Sequence, residues 1–117
     1  MEKEFVPYEQ ALDLKELGFD EKCLGYYHNK ELSFGPRTSY GEVIEAPTFS
    51  QAFRWFREKY FLFGQITIAE YELENNGFEY EIKSKDKSID TWRGGYKTYE
   101  EAELECLKKL IEIVKNK

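Results

Sequence analysis

The sequence is poor in the residues that carry most protein chemistry. It has one histidine, two cysteines and one methionine in 117 residues. Nucleophilic catalysis needs a base within hydrogen-bond reach of the nucleophile, and a catalytic metal needs three or four clustered ligands. His28 stands alone, and Cys23 and Cys106 lie far apart with no CxxC pair, so both routes lack their parts. The phosphate loop GxxxxGK[ST], the dinucleotide motif GxGxxG and the metalloprotease motif HExxH are missing too. These absences argue against an enzyme and predict neither cofactor nor metal, with the two cysteines as reduced structural thiols.

Other shortages narrow the class. Three prolines and eight glycines are too few for a disordered chain. No window approaches the about 20 apolar residues of a membrane span, and Met1 to Phe5 are charged instead of signal-like, so the expectation is a cytoplasmic protein with no membrane partner. Basic residues number 17 against 23 acidic ones, a net charge of −6. Binding to a long nucleic acid draws its affinity from many cationic contacts to phosphates, so it is not expected here. Aromatics are what the sequence has in abundance, at 17% of residues with 9 Tyr, 9 Phe and 2 Trp.

Hydrophobic periodicity places three helices among short strands. Pro7 to Leu17 carries an apolar side of Tyr8, Ala11, Leu12, Leu14 and Leu17, with Pro7 suited to the first helical position and Gly18 to the left-handed cap. Lys22 to His28 and Glu31 to Phe34 read as strands joined by a tight turn at Asn29 and Lys30, and Gly35 to Pro47 has no convincing period. Thr48 with Gln51 matches a capping box, followed by an inward stripe of Phe49, Ala52, Phe53, Phe56 and Tyr60. Trp55 falls off that stripe, covering the rim of the core or facing water.

Gln65 to Glu74 and Phe78 to Lys83 read as a hairpin about Asn76 and Gly77, setting Leu73 opposite Tyr80 and Tyr71 opposite Ile82. That register strands Ile66 and Ile68 on the other face, which argues for a bulge or for a strand covered on both sides. Glu70, Glu72, Glu79 and Glu81 make its wet side. A short edge strand, Ser88 to Trp92, precedes a break at Gly94 and Gly95, and a second capping box, Thr98 with Glu101, opens the longest helix, through Lys115. Each helix start has an aromatic followed three residues later by alanine: Tyr8 and Ala11, Phe49 and Ala52, Tyr99 and Ala102. The order predicts one α+β domain over 1–117, with an antiparallel sheet of four to five strands packed by three helices.

Two patches combine aromatic faces with cations. Lys83 to Thr98 is locally positive, and Trp92, Arg93, Tyr96 and Lys97 join a stacking surface to a forked donor just before a helix N-terminus. A second patch draws on Arg37 and Tyr40 in the irregular segment and on Arg54, Trp55 and Arg57 along the water-facing side of the second helix. These nine residues are the candidate ligand-binding set. An anionic, nucleotide-sized ligand could use their chemistry, and a shallow site on so small a domain gains depth when two copies share it.

Three blocks carry a resemblance: FVPYEQALDLKELGFDEKCLGYY at 5–27, APTFSQAFRWFREKY at 46–60 and YKTYEEAELECLKKLIEIVKNK at 96–117. Together they resemble a family of small proteins that recur in bacteriophage, prophage and other mobile-element genomes. The resemblance supplies no catalytic or ligand residue to carry over, and 29–45 and 61–93 look variable against it. It implies an accessory role such as counter-defence. The leading expectation is a non-enzymatic homo-oligomer that sequesters an anionic nucleotide immune signal. The alternative is an acidic inhibitor, a nucleic-acid mimic in the strongest form, that blocks a host defence enzyme.

Overall fold

The computed structural model describes residues 2–37, 41–68, 77–85 and 87–116, with backbone alone at 2, 87 and 90–94. It is an α+β protein. The chain divides into two compact units, Met1–Ala52 and Phe53–Lys117.

The first unit opens with a 3-10 turn at Glu2–Glu4, followed by α1 at Tyr8–Glu16. Pro7 stands one position outside the helix, as its N-cap, so the expected start is displaced by one residue. The exit follows the sequence. Gly18 takes φ +104°, its amide donates to Lys15 O at 3.0 Å, and the Phe19 amide donates to Leu14 O at 2.9 Å. That pair of bonds satisfies the last carbonyls of α1 and turns the chain sharply. Strands β1 (Gly25–His28), β2 (Glu31–Phe34) and β3 (Ile44–Ala46) form an antiparallel sheet in the order β2-β1-β3. Asn29 and Lys30, at φ +52° and +66°, make the expected two-residue turn, which pairs His28 with Glu31.

Strand β3 lies inside the segment read as irregular. At three residues it is too short to display a period, and only its pairing with β1 defines it. Val6, Ala11, Leu14, Phe19, Ile44 and Ala46 are buried, and the Tyr27 hydroxyl donates to Val6 O at 2.7 Å.

Helix α2 (Phe49–Tyr60) begins in the first unit and ends in the second. Thr48 Oγ1 accepts from the Gln51 amide at 3.2 Å, but the Gln51 side chain donates to Glu21 and to Lys22 O in place of closing the box. The predicted inward stripe is buried at Phe49, Ala52, Phe53 and Phe56. The alanines of all three helix starts, Ala11, Ala52 and Ala102, are buried as well.

In the second unit β4 (Phe63–Ile68), β5 (Phe78–Ser84) and β6 (Lys87–Tyr96) form an antiparallel sheet in that order, and α3 is Tyr99–Lys115. Among the described residues the strands are thus six in two sheets, against an expected four or five in one. The β4–β5 register also differs from the expected hairpin. Ile66 faces Tyr80, Ile68 faces Phe78 and Gly64 faces Ile82, while Glu70, Tyr71, Glu72, Leu73, Asn75 and Asn76 lie outside the described residues.

Packing explains the register. A Cβ on Gly64 would lie 2.9 Å from Cys106 Sγ and 3.3 Å from Leu110 Cδ1, so α3 closes on the sheet where β4 has no side chain. With Gly64 on that face, Ile66 and Ile68 share it by strand alternation. The isoleucines that the hairpin reading stranded are on the apolar side after all. Ile82, Cys106, Leu107 and Leu110 are fully buried there.

Strand β6 continues through Gly94 and Gly95, where the sequence predicted a break. Its pairing slips twice, between Ile82 and Lys83 and between Phe78 and Tyr80 of β5. The second slip absorbs the glycine pair, with Gly95 at φ +75°, so the glycines bulge the strand without ending it. Thr98 then caps α3 as expected, its Oγ1 accepting from the Glu101 amide at 3.1 Å.

Candidate functional site

Arg37 sits in the first unit and directs its guanidinium into the protein. Nε and Nη2 donate to the two carboxylate oxygens of Glu45, at 3.2 and 2.7 Å. Nη2 also donates to Cys23 O at 2.6 Å and Gly25 O at 3.3 Å, and Nη1 donates to Gly35 O at 2.8 Å. The cation lies over the Tyr26 ring, 4.5 Å from its centre. All three nitrogens thus have protein acceptors, and this forked geometry uses what distinguishes arginine from lysine. Arg37 ties the loop before β3 to β1; it does not present an anion site.

Burial alone would push the Glu45 carboxyl up. The Arg37 guanidinium, the Cys23 amide at 2.8 Å and Lys22 outweigh it and hold the group below the usual carboxylate range. Burial, with Glu45 and Glu21 beside it, pushes the Cys23 thiol up to about 12. Such a thiol carries almost no thiolate at neutral pH.

Tyr40 lies outside the described residues. Arg54, Trp55 and Arg57 belong to the second unit. Arg54 is exposed and Arg57 half-buried, but Trp55 is only 5% exposed, which corrects its expected place on the water-facing side. Its ring packs edge-on against Phe56 and Tyr60, at 5.1 and 5.4 Å between centres, and the Lys59 ammonium lies 5.2 Å from it. An indole is wide enough to reach cover from a position adjacent to the inward stripe, and the stripe rule does not account for that width.

Trp92 and Arg93 lie on β6, where the backbone alone is described; Trp92 pairs with Tyr80. Tyr96 stacks on Tyr80 with rings 6.4 Å apart and 14° from parallel. Lys97 is exposed, and its amide donates to the Glu101 carboxylate at 3.3 Å. That carboxylate occupies the helix end expected to attract an anion. The region is therefore a bulged strand running into a capped helix, and not the strand broken at Gly94 and Gly95 that the sequence predicted.

Two features were not read from the sequence. The first is the exit of α2. Phe61 holds φ +58° and donates its amide to Arg57 O at 3.2 Å, the left-handed cap usually given to glycine. Its ring is 56% exposed and meets the exposed ring of Phe63 edge-on at 6.0 Å. Nothing in composition or period marks a positive φ at a phenylalanine, so the signal was not available.

The second is a cleft of about 290 Å³ lined by Tyr8, Leu12, Tyr27, Asn29, Lys30, Glu42 and Ile44. Tyr8 packs edge-on against Tyr27, and the Lys30 ammonium stands 6.0 Å from the Tyr8 ring. The Lys15–Glu42 ion pair links α1 to the segment before β3 beside it.

His28 ends β1 next to the turn and is half-buried. Among the described residues no group of three or more His, Cys, Asp or Glu is arranged to hold a metal ion, and no helix is long and apolar enough to cross a membrane. On α3, burial, with Glu100 nearby, pushes the Glu103 carboxyl up to about 7. Comparison of the chain with protein-family models, curated proteins and solved structures found no match.

Proposed function

We propose that the chain is a non-enzymatic binding protein of the bacteriophage accessory kind, a counter-defence factor that docks onto a host protein and blocks it. The observation that carries this reading is Phe61. A left-handed backbone costs an ordinary side chain about 1 kcal/mol, a cost glycine would avoid. The fold recovers little of it, because the ring points largely into solvent beside Phe63. Strain kept for an outward-facing aromatic fits a residue retained to contact a partner.

The surroundings indicate the partner's chemistry. Phe63 stands directly opposite Lys83 on the face of the sheet away from α3, and Glu79 and Glu81 share that face, by the β4–β5 register. An apolar anchor with one ammonium and two carboxylates on its face suits a protein surface with an apolar pocket and a charged rim. The test is recovery of a host protein on the immobilised chain. Phe61→Ala is expected to weaken the complex by roughly 30-fold or more, the scale of an interface hot spot. Undiminished binding by Phe61→Ala and Phe63→Ala together would sink the reading.

Nucleotide sequestration is the second reading, and the Tyr8 cleft favours it, since an aromatic ring, an ammonium and an amide side chain meet at a volume suited to a mononucleotide. Glu42 in the wall opposes a phosphate. A panel of cyclic and phosphorylated nucleotides tests it by thermal shift. A shift lost in Lys30→Ala supports this cleft, a shift lost only in Arg93→Ala moves the site to β6, and no shift across the panel rejects it.

A further inference from the structure

The two edges of the second sheet are built differently. Strand β6 carries Lys87, Asp90 and Arg93, and its pairing slips at two places, one of them holding the glycine pair. Charges and bulges are the usual means by which an edge strand avoids adding a further strand. Strand β4, at the other edge, has the sequence FGQITI, with no charge and no proline, and it pairs with β5 in unbroken register from Phe63 to Ile68. It is the only described strand without an ionisable side chain. Among the described residues no strand lies on its outer side.

We propose that β4 pairs antiparallel with β4 of a second copy of this chain, making one continuous sheet across a two-fold axis. Charge selects the occupant. In a two-fold contact the residue at the axis meets its own copy, so a charge at the axis would face a like charge. A neutral strand meets no such repulsion when it pairs with itself, whereas a strand that recruits a different protein gains from charges that choose the partner. In a chain that is 34% charged, six consecutive neutral residues on an open edge fit self-pairing.

Side chains point the same way. Antiparallel pairing of two edges about a two-fold places the axis perpendicular to the sheet, so Gly64, Ile66 and Ile68 of both copies fall on the face that α3 covers. Ile68 is 64% exposed on that face in the single chain, and the second copy's Ile66 and Ile68 would cover it. A strand pairing of this size buries less than a standard stable interface, so the dimer should be concentration-dependent, on the order of micromolar. This inference is independent of the docking role of Phe61.

The test is light scattering after size exclusion, from low micromolar to near-millimolar, joined to amide exchange at the same concentrations. The wild-type chain should pass from monomer to dimer, with exchange slowing in β4 and unchanged in β6. Gln65→Lys and Thr67→Lys alter side chains exposed on the face away from α3, so folding should survive, as circular dichroism would verify. Each should weaken the dimer roughly tenfold or more by setting like charges across the seam. Phe61→Ala should leave the dimer intact even where it abolishes docking. A chain monomeric throughout, a dimer indifferent to both lysine variants, or protection that appears in β6 or only when another protein is added would each overturn the proposal.

Discussion

Arg37 in the first unit and Gly64 in the second each fix what packs against a sheet, and they do so by opposite means. Arg37 supplies a large cation whose donors reach a carboxylate and three carbonyls, joining strand to loop through directed bonds. Gly64 supplies nothing, and the gap lets Cys106 and Leu110 of α3 reach the sheet. The first arrangement tolerates small displacements but depends on the chemistry of one fork. The second is indifferent to chemistry and intolerant of volume. A unit held by directed polar bonds should respond to pH and charge, and a unit held by close packing should respond to added atoms.

Gly64→Val presses hardest on this contrast. Valine favours strands, so its cost would be steric alone, about 3 kcal/mol by thermal or urea unfolding. Adding Cys106→Ala, which removes the nearest atom, should restore about 1 kcal/mol; no restoration would mean that Cys106 is not what limits the approach. Arg37→Ala strips Glu45 of its partner and should cost about 2 kcal/mol, whereas Arg37→Lys keeps the charge, loses the fork and should cost about 1 kcal/mol.

The two units should also titrate in opposite senses. Glu45 is held below the ordinary value of 4.5, so its contribution is present above that pH and is lost as the pH falls through the lower folded-state value. Glu103 is raised to about 7, so its contribution is full below 4.5 and is lost as the pH rises through about 7. Carboxyl titration by NMR should show Glu103 near neutrality and Glu45 at the acid end, and Glu103→Gln should flatten the neutral arm alone. The smallest effect concerns the helix exits. Gly18 and Phe61 hold comparable left-handed positions, and Phe61→Gly should stabilise the chain by up to about 1 kcal/mol while weakening docking.

Much of the fold was legible because it rests on local rules. The Gly18 exit, the Asn29–Lys30 turn, the Thr98 cap and the buried face of α2 each follow from a few adjacent residues. What failed depended on partners distant in sequence. The β4–β5 register was misread because Asn76 and Gly77 give a strong local turn signal, and the contact that sets the register, Gly64 against Cys106, spans 42 residues. Strand β3 was missed because three residues show no period. The candidate site was less legible still. Arg37 and Trp55 were chosen for chemistry that suits an exposed surface, and the fold spends both internally, whereas Phe61 owes its interest to a backbone angle that no residue pattern announces.

The contact beneath Gly64 also gives the chain a built-in clock. Cys106 is fully buried, and the half-buried Cys23 keeps its proton up to about 12, so neither thiol meets an electrophile readily in the closed state. Alkylation of Cys106 can proceed only when α3 lifts from β4. In a Cys23→Ser background, the rate of modification would therefore count the openings of the second unit, with no probe added to the protein.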